Sequence, residues 1–235
     1  PLRASNRRFC YARPPILDRD VSRWWGELLK VLGIDEAGRG CVLGALVIGA
    51  FLAEVDSEAI LIAAGAADSK KLSAKRRLAA RAALVGVGEG FTVEISAKQI
   101  DNGNLNTLEE EAIVALVVAH RPDQVIVDAL GHPATLPKVI ARLDAAVRAA
   151  GVVVAWKMEP KADQNYPVVG AASIFAKTTR DGALEQLKAT HGDFGSGYPS
   201  DPKTRNWLAE IARKGEEWPF FVRTRWGTVR DLTEG

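Results

Sequence analysis

Two places in the sequence put acidic side chains where a buried strand is predicted to end. Asp35 and Glu36 follow the apolar segment LLKVLGI, and Asp128 closes the short run VIVD. An unpaired carboxylate at such a position is costly, so these acids need compensating partners. If the two strands lie side by side, three carboxylates meet at one sheet edge. Clustered oxygens without His or Cys are typical of Mg²⁺ or Mn²⁺ sites, and two ions about 4 Å apart can hydrolyse a phosphodiester.

Two other chemistries fit the residues less well. Gly38, Gly40 and Gly44 resemble a dinucleotide-binding fingerprint, but position 43 is Leu and the segment that follows has a strand pattern. These glycines can also be explained as a tight turn between two strands. A Ser-His-Asp arrangement is not favoured either, because the histidines fall at predicted helix ends or in loops: His120, His132 and His191.

The charge distribution is compatible with a polyanionic partner. The 235 residues carry 31 basic and 29 acidic side chains, so the total charge alone says little. Residues 1–30 hold seven Lys or Arg against three acids, and residues 203–230 repeat that ratio, whereas residues 31–202 hold 17 against 21. Basic flanks around an acidic centre suit a bound polyanion, and ordinary solvated faces account for them equally well.

Cysteine content and hydropathy predict a cytoplasmic protein with no membrane association. Cys10 and Cys41 cannot form a disulfide framework or a cysteine-based zinc site, which favours a reducing compartment. The longest apolar run, CVLGALVIGAFLA, is too short to span a bilayer. The basic N-terminal segment lacks the apolar centre of a signal peptide.

Hydrophobic periodicity predicts an α/β domain in which a mixed sheet is flanked by helices. A first strand is predicted to end at Asp35, and Ser73 is predicted to cap a helix. Further strands are predicted within 42–53, 91–97, 123–130 and 152–156, and further helices within 106–120, 133–151, 166–192 and 201–215. Three regions follow: a basic, extended arm (1–22), an α/β domain (23–192) and a helical C-terminal region (193–235).

Five motifs, in this order, resemble those of the type 2 ribonucleases H (ribonuclease HII), nearest the archaeal-type branch. They are GIDEAGRG, DSKKLSAKRR, VIVDA, KADQNYPVVGAASIFAKTTRD and GSGYPSDPKT, and the matching segments run from about residue 31 to about residue 226. The resemblance implies that residues 23–192 form a catalytic core with the ribonuclease H fold and that the helical C-terminal region (193–235) contacts substrate. It also implies metal-dependent hydrolysis of RNA in RNA–DNA hybrids and at single ribonucleotides in duplex DNA. Cleavage would fall 5′ to the ribonucleotide, leaving 3′-hydroxyl and 5′-phosphate ends.

The same resemblance assigns four metal-binding and catalytic acids: Asp35, Glu36, Asp128 and Asp163. Asp181 is an alternative to Asp163 for the fourth place. If a helix begins near Pro167, Asp181 lies about 20 Å along it, too far from the N-terminal end. We expect Asp181 to pair with a neighbouring base such as Lys177 instead.

Substrate contacts follow from the resemblance as well. Gly38, Arg39 and Gly40 match a loop that reads the ribose 2′-hydroxyl, partly through backbone groups, and Tyr198 matches a tyrosine that stacks beneath the following sugar. Tyr198 can also be explained by packing. Phosphate contacts are predicted for Lys70 and Lys71 and, with less support, for Lys161 and Lys177. Lys75, Arg76 and Arg77 also fit a solvated helix face.

Departures from the family pattern and rival functions complete the prediction. Cys41 and Ala45 stand where family members commonly have proline. The sequence TVRDLTEG has no recognisable sliding-clamp peptide, so clamp association is not favoured, and a monomer is expected. One rival is a structure-specific nuclease of the same fold, such as a junction resolvase, which would need no ribose-reading loop. The other is a hybrid-binding protein with an inactive centre, which Mg²⁺-dependent cleavage would exclude.

Overall fold

A computed structural model of the protein describes residues 29–66, 72–129 and 131–233. The predicted N-terminal arm (1–22) and the two predicted phosphate-binding residues Lys70 and Lys71 lie outside the described residues. The assignments made for them therefore stay predictions, as do the region boundaries at 22/23 and 192/193.

Five strands form one mixed sheet in the order β3-β2-β1-β4-β5. The strands are β1 (Lys30–Ala37), β2 (Leu46–Glu54), β3 (Glu89–Ile95), β4 (Gln124–Asp128) and β5 (Ala155–Glu159). Strands β1 to β3 are antiparallel neighbours, whereas β4 runs parallel to β1 and β5 runs parallel to β4. The predicted mixed sheet is therefore confirmed. Strands β1 and β4, which carry Asp35 and Asp128, lie side by side, as the sequence analysis assumed for the acidic cluster.

Helices cover both faces of the sheet. They are α1 (Glu58–Ala63), α2 (Ala74–Leu84), α3 (Ala97–Asn102), α4 (Leu105–His120), α5 (Leu136–Ala149), α6 (Ala162–Asn165), α7 (Pro167–His191), α8 (Pro202–Lys214) and α9 (Gly227–Thr233). Helices α4 and α5 pack on one face, where Leu32 and Ile34 of β1 contribute to the core. Helices α1, α2 and α7 pack on the other face around Phe51 and Phe175.

Helix α7 is the element that approaches the central strands most closely. Its bounds confirm the prediction that Pro167 begins it and Gly192 ends it. A Cβ added to Gly33 of β1 would lie 2.3 Å from the carbonyl oxygen of Val168, and one added to Gly49 of β2 would lie 2.3 Å from that of Ala172. Side chains here would push the helix away, so the glycines allow α7 to reach the acidic edge of the sheet.

Two predicted strand ends were wrong. Strand β1 continues past Asp35 to Ala37, because Glu36 and Ala37 still pair with β2. The predicted strand 42–53 begins only at Leu46, since the N–H groups of Val42 and Leu43 donate instead to the carbonyl of Gly197, at 2.8 and 3.2 Å.

Two smaller details also differ from the prediction, and a third agrees with it. Strand β5 begins at Ala155 rather than at Val152, whose N–H donates to Val147 at the end of α5. Helix α4 begins at Leu105, with Asn104 as its cap, and not at residue 106. Ser73 caps α2 as predicted, accepting from the N–H of Arg76.

The C-terminal helices share a hydrophobic cluster with the segment that follows β1. Val42, Leu43 and Leu184 pack there against residues of the C-terminal part of the chain, which include Phe194, Leu208, Phe221, Val222 and Val229. Leu43 also forms an isolated β-bridge with Val222. This packing places the C-terminal region beside the acidic edge of the sheet.

Candidate active site

Three carboxylates meet at the edge of the sheet where the parallel strands β1 and β4 end. One carboxylate oxygen from each of Asp35, Asp128 and Asp163 lies within 4.8 Å of the other two. Asp35 belongs to β1 and Asp128 ends β4, and the parallel pairing of these strands brings the two together. Asp35 and Asp163 are almost completely buried.

Asp163 reaches the cluster because Asp128 anchors the start of its helix. The Oδ1 atom of Asp128 accepts a hydrogen bond from the N–H of Ala162 at 3.0 Å, and another from the N–H of Ala129 at 3.1 Å. Lys161, just before α6, turns the chain in the left-handed conformation with φ 63°. A non-glycine residue in this conformation is held there by its surroundings and is common near functional sites.

Glu36 is not one of the three clustered acids, but its carboxyl interacts with two of them. Burial raises the pKa of Glu36 to about 8, with further increases from the charges of Asp35 and Asp128, while the charge of Arg39 opposes them. Burial also raises the pKa of Asp35, and a nearby hydrogen bond and cation act against it. The acids therefore destabilise one another's charged forms.

The groups that oppose this effect at Asp35 come from α7. The side chain of Ser173 hydrogen-bonds to Asp35, and the charge of Lys177 lowers the pKa of the same carboxyl. Lys177 in turn donates from Nζ to the Ser173 hydroxyl at 2.7 Å. The sequence analysis missed Ser173, since one serine inside an apolar helical run gives no signal of its own.

Asp181 pairs with a basic side chain, as predicted, but the base is Arg77 and not Lys177. Asp181 accepts a hydrogen bond from Nη2 of Arg77 at 3.0 Å, whereas Lys177, four residues earlier on α7, donates to Ser173. Arg77 also donates to the carbonyl of Leu72. Because its other partner, Asp181, lies on α7, Arg77 joins α2 to α7 and is not part of a solvated face.

This donor set fits a divalent metal ion. All the clustered ligands are carboxylate oxygens, which match Mg²⁺ and Mn²⁺, and no His or Cys belongs to the cluster within the described ranges. The raised pKa values of Asp35 and Glu36 are the second indication. A cation would stabilise the charged forms of these acids, which burial and mutual repulsion disfavour.

The loop Gly38–Gly40 follows directly on β1. Gly38 has φ 89°, and a Cβ there would lie 2.5 Å from Nε of Arg180, so both conformation and space require glycine. The side chain of Arg39 forms an ion pair with the buried carboxylate of Glu109 and donates to Oδ1 of Asn106 at 2.5 Å. Ribose reading by this loop would therefore fall to its backbone groups.

Tyr198 lies next to this loop. Tyr198 as a whole is 41% exposed, and its Cε1 atom is 4.0 Å from the position of a Cβ on Gly40. The guanidinium of Arg180 lies 5.4 Å from the centre of the ring and donates to the thiol of Cys41 at 2.8 Å. The structure thus brings together two motifs that are about 160 residues apart in sequence, and Tyr198 stays exposed there.

Lys161 is exposed beside the acidic cluster, and Lys177 lies near Asp35. Their predicted phosphate contacts stay predictions. Besides Ser173, the sequence analysis missed two buried arginines, Arg180 and Arg223. The only signal for them is the position of Arg180 within the motif TTRD.

Solved structures define the class of protein to which this fold and site belong. The ribonuclease H2 of Pyrococcus horikoshii superposes with a TM-score of 0.78 at 36% identity, over 88% of this chain and 98% of that one. The Archaeoglobus fulgidus chain in a PCNA:RNase HII complex gives 0.77 at 35% identity, over 86% and 96%. The fold is therefore that of the ribonucleases H.

Sequence comparison identifies the family within that class. Residues 32–229 match the family described as Ribonuclease HII. The Ribonuclease HII of Aeropyrum pernix is 42% identical over 209 residues, covering 86% of this chain and 89% of that protein. The chain belongs to the ribonuclease HII family. It is accordingly a nuclease, and family and fold support a ribonuclease H activity that uses divalent metal ions.

The lengths and polarities of the helices bear on the predicted absence of a membrane span. Among residues 29–66, 72–129 and 131–233, every helix is either too short or too polar to cross a bilayer.

Proposed function

We propose that this protein is an endoribonuclease that cuts RNA in RNA–DNA hybrids and at single ribonucleotides in duplex DNA. Cleavage falls on the 5′ side of the ribonucleotide and leaves 3′-hydroxyl and 5′-phosphate ends. One observation carries the proposal: the cluster of Asp35, Asp128 and Asp163 lies at the end of the strand that continues into Gly38 and Gly40. Hydrolysis and ribose recognition would then occur within one short stretch of structure.

Each part of the site has a task in this reaction. Asp35, Glu36, Asp128 and Asp163 would hold two divalent ions, Mg²⁺ or Mn²⁺, which when bound supply an activated water and neutralise charge on the phosphate. Ser173 and Lys177 favour the charged, ligating form of Asp35 against the effect of burial.

The remaining residues would bind and orient the substrate. The Gly38–Gly40 backbone offers hydrogen bonds to the ribose 2′-hydroxyl, the group that distinguishes RNA from DNA. Tyr198 supports the adjacent sugar with its exposed ring face. Lys70, Lys71, Lys161 and Lys177 would contact phosphates, which gives affinity without sequence preference.

The partner is thus an RNA–DNA hybrid or a DNA duplex that contains ribonucleotides. We expect a cytoplasmic monomer. The sequence does not favour a sliding-clamp interaction, although the Archaeoglobus relative was solved in a complex with PCNA.

Cleavage of a labelled DNA duplex with one ribonucleotide tests the proposal. With Mg²⁺ or Mn²⁺ we expect a single cut 5′ to the ribonucleotide, no cut in an all-DNA duplex, and no cut by Asp35→Asn. Equal cutting of the all-DNA duplex would indicate a structure-specific nuclease instead. A folded protein that binds the duplex but cuts with neither metal would be an inactive hybrid-binding protein.

A further inference from the structure

The loop Gly38–Gly40 presents two neighbouring N–H groups. No hydrogen bond of the described residues uses the N–H of Arg39 or of Gly40, and Gly40 is exposed. Backbone donors that a bound ligand covers lose their water and need an acceptor, which an oxygen of the ligand can supply. A fixed pair of donors can recognise a hydroxyl only if the peptide planes that carry them cannot rotate.

Arg223 fixes these two planes through their carbonyl groups. Its guanidinium is completely buried and donates to the carbonyl oxygens of Gly38 at 2.7 Å, Arg39 at 2.9 Å and Gly44 at 3.1 Å. In a trans peptide the N–H points opposite to the C=O of the same plane, and the described peptide bonds are trans. The N–H groups of Arg39 and Gly40 therefore point away from Arg223.

Glu109 fixes the same loop from a different element. It lies on α4 with no exposed surface, and it forms an ion pair with the Arg39 side chain, which Asn106 of the same helix also binds. A buried carboxylate without a partner is strongly unfavourable, so this pair holds Arg39 firmly. The loop is thus attached both to α4 and to the C-terminal region.

Resting on the function proposed above, we propose that Glu109 and Arg223 are positioning residues for ribose selectivity. Neither Glu109 nor Arg223 belongs to the acidic cluster, and neither of them is proposed to contact the substrate. Arg223 sets the direction of the two N–H donors, and Glu109 prevents the loop from turning with the Arg39 side chain. Substitution of either residue should therefore weaken recognition of the 2′-hydroxyl more than it weakens binding of the duplex.

The test measures binding in an Asp35→Asn background, in which the substrate is expected to stay intact. Affinities are determined for a duplex with one ribonucleotide and for the same duplex in DNA only, and their ratio is the ribose selectivity. Glu109→Gln removes the charge at similar size, and Arg223→Lys keeps the charge but loses the planar fork of donors. We expect the ratio to fall about 3- to 10-fold in each variant, as for the loss of one hydrogen bond, with all-DNA affinity changed less than twofold.

Glu110→Gln is the matched control. Glu110 lies on the same helix as Glu109 but forms its ion pair, of 2.5 Å, with Arg142 and not with the loop. This variant should therefore leave the ribose selectivity unchanged. An unchanged ratio in folded Glu109→Gln protein would overturn the inference. The inference would also be overturned if the affinities for the ribonucleotide duplex and the all-DNA duplex fell equally and the melting temperature fell with them. That result would indicate a merely structural role. If Arg223→Lys does not fold, Glu109→Gln still decides.

The failure of this inference and of the proposed function are distinguishable. A chain without these substitutions that neither prefers nor cuts the ribonucleotide duplex contradicts the proposed function itself. A chain that does both, but whose selectivity survives in the two variants, contradicts only the positioning roles.

Discussion

Asp35 is buried, and hydrogen-bond donors and a nearby cation stabilise its charged form. Its own chain contributes the N–H of Glu36, which donates to Oδ1 at 2.8 Å, and α7 contributes Ser173 backed by Lys177. Hydrogen bonds to the charged form of a carboxyl favour ionisation, which is the form that binds metal. The Ser173 hydroxyl thus hydrogen-bonds to both Lys177 and Asp35 and connects the two side chains.

Removing the Ser173 hydroxyl should weaken metal binding without disturbing the fold. We expect Ser173→Ala to lower Mn²⁺ affinity about tenfold, as is typical for the partner of a ligating group. Calorimetric titration with Mn²⁺ measures this. Ser57→Ala, directly before α1, is the control and should bind Mn²⁺ normally. A full-strength Ser173→Ala site would mean that Lys177 alone supports Asp35.

Glu36 should make stability depend on pH when no metal is bound. Its pKa rises from the ordinary 4.5 to about 8 in the folded protein. Between these values the folded state holds the proton that the unfolded state has released, so the free energy of unfolding falls as pH rises. We expect the melting temperature to drop between pH 5 and pH 8, and this slope to be smaller in Glu36→Gln.

Metal should reverse this trend, since binding requires ionised carboxylates. The increase in melting temperature on adding Mg²⁺ should therefore be larger at pH 8 than at pH 6. An equal increase at both values would argue that Glu36 does not contribute to the metal site.

At the scale of elements, the site depends on how closely α7 lies on β1 and β2. Ser173 and Lys177 reach Asp35 only because Gly33 and Gly49 leave room for the helix backbone. Strand pairing supplies the other half of the arrangement, because β1 and β4 run in the same direction and end at the same edge.

Gly33→Ala should therefore damage both stability and activity. The added methyl would overlap the Val168 carbonyl, and we expect a loss of about 1–3 kcal/mol in the free energy of unfolding, as for overpacked cores. Denaturant unfolding measures this loss. Gly182→Ala in α7 is the matched control: its Cβ meets nothing within 4 Å, and helix propensity predicts a gain of up to about 1 kcal/mol. A neutral Gly33→Ala variant would show that α7 can shift freely.

At the scale of the whole molecule, the C-terminal region completes the site. Tyr198 and Arg223 both come from it, and both lie against the loop that follows β1. Asp101 of α3 adds a separate attachment by accepting from the N–H and hydroxyl of Thr224, both at 2.7 Å, and from the N–H of Arg225 at 3.2 Å.

Asp101→Ala should loosen this attachment and lower ribonucleotide cleavage while leaving the acidic cluster intact. We expect a loss of about 1–3 kcal/mol in the free energy of unfolding, since backbone donors lose a charged acceptor. We also expect a higher KM for the ribonucleotide duplex and unchanged Mn²⁺ affinity. Asp56→Ala, at an exposed position after β2, should change none of these quantities. A lower Mn²⁺ affinity in Asp101→Ala would show that the C-terminal region also shapes the metal site.

The sequence by itself determined the mixed sheet, the long helix and the presence of acids near the ends of two buried strands. Alternating or continuous apolar runs and the terminal Pro167 and Gly192 are local signals, which act over a few residues and survive without tertiary information. Asp35 and Asp128 could be placed at one edge only on the condition that their strands lie side by side, and the parallel pairing of β1 with β4 fulfils that condition. Asp163 came from the family resemblance, as no local pattern connects it with the other two.

Only the tertiary structure decided which polar residues support the site. Glu109 is one of three consecutive glutamates, and only the packing of α4 makes it the buried one that pairs with Arg39. Arg223 lies about 180 residues from the carbonyl groups that it binds. The physical reason is the same in both cases. The energy of a buried charge depends on partners that folding brings from distant parts of the chain, and composition or spacing does not record them.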